Sequence, residues 1–68
     1  MSIDATYPQI ALLVNLFSDL GFTYAQIGAW MSRNAGRNVE YIDDLTVQEA
    51  DVLIKALKAM KEQPVEAA

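Results

Sequence analysis

The sequence contains neither cysteine nor histidine among its 68 residues. Without cysteine the chain forms no disulfide and no thiolate metal site, and without histidine it lacks the commonest general base and metal ligand. The adjacent carboxylates Asp43 and Asp44 match no calcium-loop spacing and precede a predicted helix, where negative charge is favourable. We therefore predict no enzyme activity, no catalytic residue, no metal site and no cofactor.

Long apolar runs and a surplus of positive charge are also missing. The longest apolar run, residues 10–14, is far shorter than the roughly 20 residues that cross a bilayer. No basic segment followed by an apolar run marks a signal peptide at the N-terminus. These absences predict a soluble, cytoplasmic protein that does not bind membranes. The net charge of −4 makes direct nucleic-acid binding less expected than protein binding, because an acidic chain repels phosphate.

Three helix-start signals divide the chain. Thr6, Thr23 and Thr46 are each followed three residues later by Gln or Glu, which is the capping-box pattern. Gly21 and Gly36 stand where the first two helices should end, since glycine readily adopts the left-handed conformation of a helix C-terminus. The predicted elements are helices at about 7–20, 24–34 and 47–61, with a short extended connection at 37–45.

These elements predict a single all-α domain over residues 1–68, a compact three-helix domain with frayed tails at 1–5 and 63–68. Helix 1 is predicted to be central, because its apolar side chains cover an arc of roughly 200° and need partners on two sides. If two helices do not cover that arc, a second copy of the protein can. The other buried stripes are predicted to be Tyr24, Ile27, Met31 and Asn34 in helix 2, with Trp30 at the edge, and Ala50, Leu53, Ile54, Leu57 and Met60 in helix 3.

Residues 21–28 are similar to the opening of a DNA-binding helix-turn-helix, in which a small residue follows an inward isoleucine so that two helices cross closely. The continuation differs, because Glu49 and Asp51 stand at the start of helix 3, where a recognition helix would face the bases. Arg33 and Arg37 are then the residues that favour phosphate contact. A small helix-turn-helix DNA binder is therefore an alternative prediction.

A second similarity spans about residues 12–60. Its motifs are Leu20-Gly21, Ile27-x-x-Trp30, Arg37-x-Val39, Asp44-Leu45-Thr46-x-x-Glu49-Ala50 and Leu53-Ile54-x-x-Leu57. This order resembles the small helical modules at the C-termini of phage recombination proteins of the Erf-like and RecT-like single-strand annealing type. The resemblance implies a phage or prophage origin, a bacterial host cytoplasm and a partner-docking role in DNA recombination. The chain begins at Met1 without an annealing domain, so an interaction role is expected rather than annealing.

The candidate binding residues are Trp30, Arg33, Arg37, Tyr41 and Val52. Trp30 at the edge of the helix 2 stripe fits either an interface anchor or a core residue that covers the end of the domain. Arg33 and Arg37 would supply orienting charge at the rim. Val52 lies off the main stripe of helix 3 and is either part of a second apolar surface or a scattered exposed side chain. The predicted function is a protein-protein adaptor or inhibitor linked to recombination, and a structural homodimer is a further alternative.

Overall fold

Each of the three threonines begins a helix. The computed structural model describes residues 3–62 and is all-α over that range, as predicted. The helices are α1 (Tyr7–Asp19), α2 (Tyr24–Ala35) and α3 (Val47–Glu62), with one 3₁₀ turn (Ile42–Asp44) before α3. The predicted frayed tail at 63–68 lies outside the described residues.

The capping boxes form in full. At the start of α1, Gln9 N donates to Thr6 Oγ1 at 3.3 Å and Thr6 N donates to Gln9 Oε1 at 3.0 Å. The same reciprocal pairs join Thr23 to Gln26 and Thr46 to Glu49. Each box satisfies two backbone donors that a helix N-terminus leaves unpaired, which is why these local motifs locate the helix starts so well.

The prediction that helix 1 has helices packed on two sides is wrong. The chain turns by 119° between α1 and α2, so α1 packs mainly along α3, and α3 makes a smaller contact with α2. The error has a physical cause: Ala11 and Val14 are apolar but face solvent, so the buried face of α1 is narrower than its apolar arc. The buried core comprises Leu13, Leu16, Phe17, Met31, Val39, Leu45, Ala50, Leu53, Ile54 and Leu57.

The connection before α3 is not simply extended. It contains the 3₁₀ turn, and it places Val39 and Leu45 in the core on either side of that turn. Ser32 of α2 holds Val39 by two hydrogen bonds, since Val39 N donates to Ser32 Oγ at 2.9 Å and Ser32 Oγ donates to Val39 O at 3.1 Å. The connection is therefore a structured part of the core.

Residues 3–5 are tied to the same connection, so the predicted fraying is wrong for them. Val47 N donates to Ile3 O at 2.8 Å, and Ala5 N donates to Leu45 O at 2.9 Å. These long-range backbone bonds form an antiparallel bridge whose partner residues are too distant in sequence for a local pattern to reveal.

Three residues of the predicted stripes are exposed. Tyr24 is 96% exposed in the first turn of α2, and Met60 is 40% exposed near the end of α3. Asn34 is also exposed, and its Nδ2 donates to Trp30 O at 2.8 Å. Tyr24 and Met60 lie near helix ends. There the apolar face continues by helical periodicity, but no neighbouring element within residues 3–62 covers it.

Candidate functional site: a groove beside the α1–α2 turn

An open groove of about 390 Å³ lies where the α1–α2 turn meets α2. The α2 side is built from positions spaced by three, four and seven residues, which share one face of a helix. The turn supplies the opposite wall, and Gly21 adopts a φ of 76° there, a conformation that favours glycine. The lining residues are Leu20, Gly21 and Phe22 from the turn and Gln26, Ala29, Trp30 and Arg33 from α2.

Three aromatic rings support the groove from inside. Buried Phe17 of α1 contacts Phe22 and Trp30, with ring centroids 5.2 Å and 5.7 Å away. Phe22 and Trp30 also contact each other at 6.0 Å, nearly perpendicular. Such edge-to-face pairs stabilise by about 0.5–1.5 kcal/mol beyond the area that they bury. Trp30 is half-buried, so it is both a core residue and part of the groove wall.

Arg33 supplies the positive charge of the groove. It is exposed, and among residues 3–62 it forms no ion pair, whereas Arg37, Lys55 and Lys61 each pair with a carboxylate. The groove lining contains no acidic side chain. The site therefore combines an apolar wall with one cation whose hydrogen-bond donors are available to a ligand.

Arg37, which was predicted to supply charge at the rim, lies outside the groove lining. Its Nε and Nη2 donate to the two carboxylate oxygens of Glu49 at 2.8 and 2.7 Å, and Nη2 also donates to Asp44 O at 2.8 Å. These bonds from Arg37, with that from the backbone of Thr46, lower the pKa of Glu49 to about 2. The carboxylate in turn raises the pKa of Arg37. Arg37 thus fastens the loop after α2 to the start of α3.

The five candidate residues therefore do not form one site. Trp30 and Arg33 meet in the groove, and Arg37 is engaged in the ion pair with Glu49. Tyr41 and Val52 are exposed and line no part of the groove.

Sequence reasoning missed Phe22 and Ala29 as site residues. Phe22 directly precedes the α2 cap, where an apolar residue is common for local packing alone, and Ala29 shares a helix face with Gln26 and Arg33. That shared face was the available signal.

Neither metal nor membrane binding gains structural support from the described residues. Within residues 3–62, no three Asp or Glu side chains are placed to hold a metal ion together. No single helix of that range is both long enough and apolar enough to cross a membrane. The helices α1 and α2 have the required length and composition only when they are added together, and a bend of 119° separates them.

Comparison with protein-family models, curated proteins and solved structures finds no match to this chain. The resemblance to phage recombination modules therefore stays a prediction, and the functional argument depends on the groove.

Proposed function

We propose that this domain is a protein-protein interaction module whose groove receives an apolar side chain of a partner. The observation that carries the proposal is the half-buried Trp30, fixed by Phe17 and Phe22, beside the cation of Arg33. Tryptophan and arginine are enriched among the residues that dominate binding energy at interfaces. A partner segment with an apolar residue next to a carboxylate complements both groups.

The energetics indicate what else the partner must contribute. Burying one large apolar side chain stabilises by about 1.5–3 kcal/mol, and an exposed ion pair adds at most about 1 kcal/mol. A micromolar complex needs about 8 kcal/mol, after the entropy cost of association has been met. One anchor is insufficient, so we expect the partner segment to extend from the groove along the exposed face of α2 that carries Gln26 and Arg33.

The composition of the groove supports binding rather than catalysis. Gln26 and Arg33 are its polar side chains, and neither is an ordinary general base or nucleophile at neutral pH. We accordingly propose a non-enzymatic role. On the motif resemblance described above, the role extends to that of an adaptor or inhibitor of recombination or other nucleic-acid machinery, in a bacterial cytoplasm.

Selection from a library of displayed random 12-residue peptides tests the groove directly. We expect enriched peptides to carry Leu, Ile or Phe within a few residues of Asp or Glu. Ala29→Gln fills the groove with a good helix former and should abolish binding. Ala25→Gln places the same side chain on α2 outside the groove lining and should leave binding unchanged.

Two results would contradict the proposal. The first is a selection that enriches no sequence class, and the second is equal binding of the selected peptides to the Ala29→Gln variant. Circular dichroism of both variants checks that the helices are intact. Since Trp30 is the only tryptophan, its fluorescence reports occupancy of the groove during peptide titration.

DNA binding is the second candidate, because one observation favours it. Residues 20–23 join α1 to α2 with a 119° change of direction, which is the geometry of a helix-turn-helix, and α2 contains no acidic residue. In this proposal the turn of the helix-turn-helix is the one between α1 and α2, one helix earlier than in the sequence comparison, and α2 would be the recognition helix. Duplex DNA binding that weakens steeply with salt and is reduced by Arg33→Gln would support it. Absence of salt-dependent binding would eliminate it.

A further inference from the structure

The outer face of α1 carries an apolar strip that no part of residues 3–62 covers. Tyr7, Ala11, Val14 and Ser18 are all exposed, and Tyr7 and Val14 are large apolar side chains with exposures of 88% and 49%. At about 100° per residue these four positions fall within an arc of about 60°. They form one narrow strip, which we call the α1 seam.

The seam is also free of charge. The chain carries fourteen acidic and basic side chains, yet α1 has none before Asp19, its last residue. A strip without charge that exposes two large apolar side chains is a candidate for a surface that another molecule covers. None of the four seam residues lines the groove, so the two surfaces are made of different side chains.

The order of side-chain sizes along the seam identifies the partner. If two copies of α1 pack antiparallel about a two-fold axis, Tyr7 of one copy faces Ser18 of the other, and Ala11 faces Val14. Each large side chain then meets a small one, which allows the helices to interdigitate. We propose that the α1 seam is a self-complementary interface with a second copy of this chain.

Charge complementarity supports the antiparallel arrangement. The first turn of α1 holds no acidic residue and its last turn holds no basic residue, so its own side chains leave both ends of the helix dipole uncompensated. In the antiparallel pair, the negative helix end of one copy lies beside the positive end of the other, while Asp19 keeps its own partner Lys61 at 2.7 Å. A parallel pair would juxtapose like ends.

The area of the seam limits the strength of the dimer. A helix of 13 residues is about 20 Å long, and a contact strip along it buries on the order of 400 Å² per copy. Stable specific interfaces bury about 800 Å² per partner. The dimer is therefore weak and forms between about 10 μM and 1 mM protein, where mass action decides its population.

Sedimentation equilibrium over that concentration range tests the inference. We expect reversible association to a dimer, weakened at least about tenfold by Val14→Lys, which puts an unpaired cation into the seam. Val52→Lys introduces the same charge at an exposed valine of α3 and should leave the association unchanged. Circular dichroism should show both variants folded.

Size-swap variants test the register itself. Ala11→Val sets valine against valine, and Val14→Ala sets alanine against alanine, so each alone should weaken association several-fold. The double variant Ala11→Val with Val14→Ala restores a large residue opposite a small one and should recover dimerisation. A monomer at every concentration, equal effects of Val14→Lys and Val52→Lys, or no recovery in the double variant would overturn the proposal. Peptide binding by the groove is measured separately, so failure of one proposal leaves the other standing.

Discussion

The ion pair between Arg37 and Glu49 allows a quantitative prediction. Glu49→Gln removes the charge but keeps an amide oxygen that can accept the bond from Thr46 N, so the capping box of α3 survives. Lowering the pKa of Glu49 from 4.5 to about 2 corresponds to roughly 3 kcal/mol. The side chains of Arg37 and Glu49 are 44% and 22% exposed, so screening by water reduces this to about 1–2 kcal/mol. We expect that loss of unfolding free energy at neutral pH.

The loss should depend on pH with a definite sign. A carboxyl whose pKa is lower in the folded state stabilises that state fully above its unfolded pKa, here 4.5. This contribution disappears as the pH falls from there toward 2. The difference in unfolding free energy between the wild type and Glu49→Gln should therefore shrink over that range. Contributions that the two proteins share cancel in the difference.

Urea unfolding followed by circular dichroism, at several pH values between 7 and 2.5, measures this difference. Asp51→Asn is the control, because it breaks an exposed pair between residues four apart on α3, Asp51 with Lys55, and should cost at most about 0.5 kcal/mol. A Glu49→Gln effect that is absent at neutral pH, or that does not change with pH, would refute the reasoning. In that case Arg37 would have no structural role in this ion pair and would again be a candidate for partner binding.

Three further predictions concern the scaffold of the groove, and urea unfolding measures each. Leu57→Ala empties a fully buried site and should cost about 2–5 kcal/mol, so an unchanged unfolding midpoint would contradict the described core. Gly36→Ala should cost about 1 kcal/mol of unfolding free energy, because Gly36 has a φ of 75°. Gly28→Ala should instead stabilise by about 0.5–1 kcal/mol, because Gly28 lies within a helix and has open space for the new methyl group. Equal effects of the two substitutions would refute the left-handed cap at Gly36. Ser32→Ala removes both hydrogen bonds to Val39 and should cost about 1–3 kcal/mol, and a neutral result would mean that water replaces the hydroxyl.

The helices were predictable because their signals are local. Thr6 and Gln9, like Thr23 and Gln26, are three residues apart, and the bonds that they form require no tertiary contact. The number of faces that a helix buries cannot be predicted in this way, because it depends on tertiary packing. Val14 has the apolarity of a core residue, but whether it is covered depends on where α3 and α2 lie.

The groove was only partly predictable for the same reason. Trp30 and Arg33 share a helix face with Ala29, and that face follows from spacing alone. The position of Phe22 against Trp30 depends on the 119° turn between α1 and α2, which no short motif specifies. The ion pair of Arg37 was not predictable, because its partner Glu49 is twelve residues away and belongs to another element.

The central claim is that the groove binds a partner segment, and amide NMR spectra of the domain during titration with a library-selected peptide test it most directly. We predict the largest shift changes at the indole N–H of Trp30 and the amides of Phe22, Ala29 and Arg33, and their loss in the Ala29→Gln variant. Unchanged Trp30 and Phe22 signals, with the largest changes instead around Tyr41 or Val52, would contradict the account.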